Sequence, residues 1–153
     1  MTKRIARAAI DAFLQQRRLA VVGVSRGGKK FGNTILKELS SKNYELFPVN
    51  PNTDRIEGRP CYPDLSMLGG KVDGAVVVVP PVQAERVVRQ AADAGIRYVW
   101  LQQGAESDDA IRAGEERGVE VIHGECILMY AEPAAWIHRA HRWLRGLFGR
   151  MPQ

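Results

Sequence analysis

The residues best placed to do chemistry lie in a loop that is rich in glycine and in positive charge. A short apolar run is broken at Gly23, and a helical pattern begins at Asn33, a good N-cap residue. The loop between them carries three cations, Arg26, Lys29 and Lys30. This order predicts a strand, a phosphate loop and a helix whose unpaired backbone N–H groups face the loop. The sequence therefore predicts binding of a phosphorylated small molecule, most simply a nucleotide.

The spacing of the glycines narrows the class of nucleotide. The dinucleotide fingerprint GxGxxG is not met, because Val24 and Ser25 follow Gly23, and the second predicted strand ends in Asn50 rather than in an acid. No Gly-Lys-Ser/Thr sequence closes the loop, so a Walker P-loop is excluded. Three loop cations suit a ligand with more phosphates than NAD, such as coenzyme A or NADP. A mobile loop with solvated cations explains the same charges equally well.

Other side chains give little indication of catalysis or metal binding. His123 and Cys126 could form a base and a nucleophile, but no third orienting group is evident, and an ordinary thiol is the better interpretation. His138 and His141 lack an accompanying carboxylate or thiol, and they fit a solvated basic helix face better than a metal site. We therefore predict no catalytic residue and no metal ligand, and a binding module rather than an enzyme.

The composition is that of one globular domain of 153 residues. The net charge of +5 comes from the two ends of the chain and not from a continuous basic surface, so nucleic acid is not expected as a partner. No apolar run approaches the roughly 20 residues that span a bilayer. We expect no secretory segment, no membrane partner and a cytoplasmic location.

The elements that position the loop alternate between strand and helix. Strands are predicted at residues 19–24, 44–49, 72–79, 98–101 and 119–122. The alternation predicts an α/β fold with a doubly wound, mainly parallel sheet of five or six strands. Flanking helices are predicted within residues 1–16 and at 133–148, around a core at 17–131, all in a single domain 1–153. The second flanking helix packs on the sheet or in a homodimer interface.

Such a sheet binds its ligand beyond the carboxyl ends of its strands. The segments predicted to converge there are the glycine loop, Asn50 to Asn52, Val79 to Pro81, Gln102 to Gly104, and His123 to Cys126, where the chain leaves the sheet.

Several short motifs stand in the order found in a known family. They are Ala20–Ser25, Gly32–Asn33, Phe47–Pro51, Gly58–Leu65, Val78–Pro81, Val99–Gly104 and Cys126–Ile127. Together they resemble the small stand-alone CoA-binding domain family, which is similar to the nucleotide domain of acyl-CoA synthetases of the succinyl-CoA synthetase type. The resemblance covers residues 17–131, and its specificity comes from six or more motifs in register. It implies a Rossmann-like fold.

The same resemblance implies that the ligand is coenzyme A or an acyl-CoA. The loop from Ser25 to Asn33 would hold phosphates, and the turns after the second and third strands would line the adenosine and pantetheine. The implied binding residues are Gly23, Ser25, Arg26, Lys29, Lys30, Gly32, Asn33, Asn50, Pro51, Val79, Pro80, Pro81, Gln103 and Gly104. Two other function classes stay open, namely an NADP-dependent oxidoreductase and an interaction or regulatory subunit with an empty nucleotide site.

Overall fold

A computed structural model describes residues 7–130 of the chain. The predicted helix at 133–148 and the first six residues lie outside the described residues, and the single domain 1–153 stays a prediction. The main elements, in chain order, are α1 (Arg7–Leu14), β1 (Arg18–Val22), α2 (Phe31–Ser40), β2 (Glu45–Val49), β3 (Arg55–Ile56), β4 (Arg59–Pro60), β5 (Gly74–Val77), α3 (Pro81–Asp93), β6 (Tyr98–Gln102), α4 (Asp108–Arg117) and β7 (Glu120–Glu125).

Five of the strands form one sheet in the order β2-β1-β5-β6-β7. Every neighbouring pair in it is parallel, which confirms the predicted α/β fold with a parallel sheet. The chain leaves β1 through α2 toward one edge of the sheet and leaves β5 through α3 toward the other. The direction of winding therefore changes between β1 and β5, where open α/β sheets bind ligands.

Alternate side chains of the strands serve the two faces of the sheet. In β1, Leu19 and Val21 pack with α1 and α2 on one face of the sheet. Ala20 and Val22 lie on the opposite face, where they pack with α3. Successive strand side chains point to opposite faces, so a continuous aliphatic run fits a strand covered on both sides. Trp100 of β6 is fully buried on the α1 face, where Phe13 of α1 meets its ring edge-on at a centroid distance of 5.3 Å.

The last strand is longer than predicted. The sequence predicts that this strand ends at residue 122, but β7 continues to Glu125 and includes His123. A register shift between Trp100 and Gln102 lets the pairing run on to Gln102 and Glu125. The indole Nε1 of Trp100 and the backbone N–H of Gln103 both donate to the carbonyl oxygen of Glu125, at 3.0 and 3.2 Å. These hydrogen bonds from Trp100 and Gln103 keep the end of β7 in the sheet.

Two connections set the shape of the site. The short strands β3 and β4 form a separate antiparallel hairpin after β2. A 3-10 helix at Leu65–Leu68 follows, and the carboxylate of Asp64 accepts a hydrogen bond from the Ser66 N–H at 2.8 Å. Among residues 7–130, no helix combines the length and apolar character needed to cross a membrane.

Candidate functional site

Two adjoining clefts open at the carboxyl ends of the central strands. The larger cleft, of about 600 Å³, lies between the ends of β1 and β2 and the side of α3. The smaller cleft, of about 380 Å³, lies between the start of α2 and the loop after β6. Both are lined by Gly23, Lys30, Val78, Val79 and Pro80. One extended ligand could therefore lie across both clefts.

Three backbone segments stack closely where the clefts meet. Gly23 has φ +107°, and a Cβ atom there would lie 2.0 Å from the carbonyl oxygen of Val78. A Cβ atom on Gly32, in the first turn of α2, would lie 2.4 Å from the carbonyl oxygen of Gly23. No side chain fits at either position, because both neighbours are backbone atoms. The two glycines thus bring the start of α2 directly against the ends of β1 and β5.

Asn33 does not cap α2, contrary to the sequence prediction. The helix begins at Phe31, preceded by Lys30 in an extended conformation, and Asn33 lies within the first turn, 2% exposed. Its Oδ1 accepts from the Ser25 N–H at 2.8 Å, and its Nδ2 donates to the Ser25 carbonyl oxygen at 2.9 Å. The amide thus fits a backbone donor and acceptor together, which only a carboxamide can do in this way. This Ser25–Asn33 clamp closes the loop.

The amino end of α2 faces both clefts through Lys30. Lys30 provides no side-chain cap for the helix, so the N–H groups of the first turn carry the partial positive charge of an uncapped helix end. Of the three predicted loop cations, Lys30 lines both clefts, while Arg26 and Lys29 are exposed and line neither. No ion pair within residues 7–130 involves these three side chains.

The turn after β2 forms one wall of the larger cleft. Asn50, Pro51 and Asn52 line it. The Asn50 side chain donates from Nδ2 to the carbonyl oxygen of Val24 at 2.9 Å and accepts the Asn52 N–H at Oδ1, at 2.6 Å. Asn50 therefore ties the end of β2 to the end of β1 and shapes this wall with both ends of its amide.

Of the other predicted residues, four line a cleft and one does not. Val79 and Pro80 line both clefts, whereas Pro81 is the first residue of α3 and lines neither. Gln103 and Gly104 line the smaller cleft, and the Gly104 N–H donates to Glu106 Oε2 at 2.8 Å. The loop after β6 is thus held by a side chain just before α4.

Sequence reasoning missed several lining residues. On α3, Gln83, Arg86 and Gln90 line the larger cleft, and Phe31 lines the smaller one. Gln102, which belongs to the predicted segment Gln102 to Gly104, also lines the smaller cleft. The α3 residues recur at three- and four-residue spacing beside its buried stripe, which is the available sequence signal. That signal identifies a shared helix face, but not what the face looks onto.

The candidate base His123 lies in β7, and the candidate nucleophile Cys126 directly follows this strand. Among the described residues, neither His123 nor Cys126 lines either cleft. His123 is 6% exposed, and burial lowers its pKa, although the nearby carboxylates of Glu106 and Glu115 act in the opposite sense. The second cysteine, Cys61, is buried, and desolvation raises the pKa of its thiol.

Comparison with known proteins supplies independent information. A model of the CoA binding domain family matches residues 17–132. The uncharacterised protein YneT of Bacillus subtilis is 30% identical over 122 residues, which cover 79% of this chain and 90% of YneT. Subunit alpha of the ADP-forming acetate–CoA ligase II of Pyrococcus furiosus is 26% identical over 144 residues. That match covers 91% of this chain but 31% of the subunit, so the chain spans less than a third of this relative.

A solved structure of similar size matches as well. A conserved hypothetical protein from Pyrococcus furiosus superposes with a TM-score of 0.69 and 47% sequence identity, covering 72% of this chain and 96% of that one. The fold described above is therefore shared with an archaeal protein that this chain matches over 96% of its length.

Proposed function

Because this chain belongs to the family of CoA binding domains, we propose that it binds coenzyme A or an acyl-CoA across the two clefts. The observation that carries the proposal is that the family match covers the residues around the uncapped start of α2. There, Gly23 and Gly32 let the start of α2 pack directly against the ends of β1 and β5. Anions bind well at such helix ends, because the N–H groups and the helix dipole act together.

The pyrophosphate of the ligand would lie at the start of α2, where the clefts meet. Lys30 adds a full positive charge there, next to the backbone of Gly23. The Ser25–Asn33 clamp supports this placement, because it fixes the loop on the side of the helix. Arg26 and Lys29, which are exposed and line neither cleft, would attract the anionic ligand at longer range.

The rest of the ligand would divide between the clefts. The adenosine would occupy the larger cleft beside Asn50 and Pro51, and the pantetheine would pass Val79 and Pro80 into the smaller cleft. Its thiol or thioester end would then approach Gln103 and Gly104. Phe31, 47% exposed at the rim of the smaller cleft, supports this direction, because an apolar ring suits an alkyl chain better than a phosphate.

We propose binding without catalysis by this chain. Asp64 is the one acidic side chain among the described lining residues, and its carboxylate caps the 3-10 helix through the Ser66 N–H. A proton-transfer role would compete with that cap. The location of His123 and Cys126 outside both clefts supports the same interpretation.

Calorimetric titration of the full chain with CoA, acetyl-CoA, NAD and NADP tests the proposal. We expect CoA and acetyl-CoA to bind and NAD to bind far more weakly. Lys30→Ala should weaken CoA binding more than Lys29→Ala, its matched control, because only Lys30 lines the clefts. Selective binding of NADP would overturn the proposal in favour of an NADP-dependent oxidoreductase.

An interaction or regulatory subunit is the second candidate. It is favoured by the match to part of a protein named as a ligase subunit alpha. A partner protein, or a second copy of this chain, would then be the main ligand. Failure of all four nucleotides to bind the folded chain would support this candidate over CoA binding.

A further inference from the structure

We propose that Arg86 on α3 binds the phosphate monoester on the ribose of the ligand, so that the site prefers coenzyme A to its 3′-dephosphorylated form. The inference rests on the proposed function and adds a phosphate subsite on the wall of the larger cleft opposite Asn50 and Pro51. The helix end at α2 and the guanidinium at Arg86 would then serve different phosphates of one molecule.

The first support is the position of Arg86. Gln83, Arg86 and Gln90 line the larger cleft together with Val87. They lie on one face of α3, and the eight residues from Gln83 to Gln90 span about 10 Å along a helix. This polar wall has hydrogen-bond donors at both ends and a cation in the middle. It faces the cleft that would hold the adenosine, which carries the ribose phosphate.

The second support is that Arg86 has no ion-pair partner among the residues that the structure describes. On the same helix, Arg89 pairs with Glu85 at 3.0 Å and with Glu116 at 3.9 Å. No ion pair among residues 7–130 involves Arg86, which is exposed. A guanidinium without an internal carboxylate keeps its donors available for a bidentate contact with phosphate.

The third support is the charge of the larger cleft. The charged residues that line it are Lys30, Asp64 and Arg86. The carboxylate of Asp64 accepts hydrogen bonds from both the N–H and the hydroxyl of Ser66, which directs part of its charge into the helix cap. The described lining is therefore net positive. Lys30 also lines the smaller cleft, so Arg86 is the cation that lines the larger cleft alone.

The test compares CoA with dephospho-CoA. The dissociation constants of both ligands are measured by calorimetry for the wild type, Arg86→Gln and Arg89→Gln, the last being a matched control three residues away. In the wild type, CoA should bind about tenfold more tightly, which corresponds to about 1.4 kcal/mol. Arg86→Gln should weaken the binding of CoA but not of dephospho-CoA, so that the ratio of the two dissociation constants approaches one. Arg89→Gln should leave the tenfold preference for CoA unchanged.

Two further arms separate the possible outcomes. Arg86→Lys should keep part of the preference, because it retains the charge but loses the planar fork. NADP and NAD form a second pair that differs by a ribose phosphate. A preference for NADP over NAD that also depends on Arg86, with CoA not bound, would keep the phosphate subsite but overturn the proposed function.

One result overturns the inference alone. In that result the wild type binds CoA, but an Arg86→Gln variant that is folded by circular dichroism shows the same ratio of the dissociation constants of CoA and dephospho-CoA as the wild type.

Discussion

Replacing Asn33 by Ala should loosen the phosphate loop and destabilise the fold measurably. The substitution removes the two hydrogen bonds to the Ser25 backbone, at 2.8 and 2.9 Å, from a side chain that is 2% exposed. At about 1 kcal/mol for each bond, the loss is about 2 kcal/mol. The better helix propensity of Ala recovers about 0.5 kcal/mol, since residue 33 lies within α2. The expected net destabilisation is about 1.5 kcal/mol.

Urea unfolding followed by circular dichroism measures this difference. With a slope of about 2 kcal/mol per molar urea, the midpoint should fall by about 0.7 M. Two controls identify the cause. Ser25→Ala keeps both backbone bonds and removes only the longer bond that the Ser25 hydroxyl donates to Asn33 Oδ1, at 3.3 Å, so it should cost only about 0.5 kcal/mol. Thr34→Ala changes an exposed residue of the same turn and should have a similarly small effect.

The same variants link the clamp to ligand binding. Asn33→Ala should also weaken CoA binding, because the loop and the start of α2 would no longer hold one arrangement. An Asn33→Ala protein as stable as Thr34→Ala, with unchanged affinity, would refute the view that this clamp holds the loop.

Two further predictions follow from the close backbone contact at Gly32 and from the buried histidine. Gly32→Ala should lower the free energy of unfolding by at least about 2 kcal/mol and abolish CoA binding, because its Cβ would meet the Gly23 carbonyl oxygen. Gly27→Ala, with open space around it, should have neither effect. Urea unfolding measures the stability of the two variants, and calorimetry measures their affinity for CoA. Burial lowers the pKa of His123 below its ordinary 6.5, so the unfolded chain takes up that proton more readily. The free energy of unfolding should therefore fall as the pH drops below about 6.5. His123→Gln should lose this part of the pH dependence; an identical profile in the variant would exclude His123 as its source.

Much of the fold could be predicted from local patterns. The alternating apolar runs and helical stripes gave the strands, the parallel sheet and the position of the loop after β1, because each is a property of a few neighbouring residues. The strand ends were less accurate. The extension of β7 to Glu125 depends on bonds from Trp100 and Gln103, which the sequence of β7 does not contain.

The loop between Gly23 and Asn33 shows most clearly what each level determines. The sequence by itself determined that glycines and cations follow a buried strand, and hence that a phosphate ligand was expected there. Only the tertiary structure decided that Asn33 clamps Ser25 instead of capping α2, and that Lys30 rather than Lys29 lines the clefts. It also placed Arg86 and the turn after β2 in the lining of one cleft. The physical reason is that these roles depend on which backbone segments lie side by side, and packing between distant parts of the chain sets that arrangement.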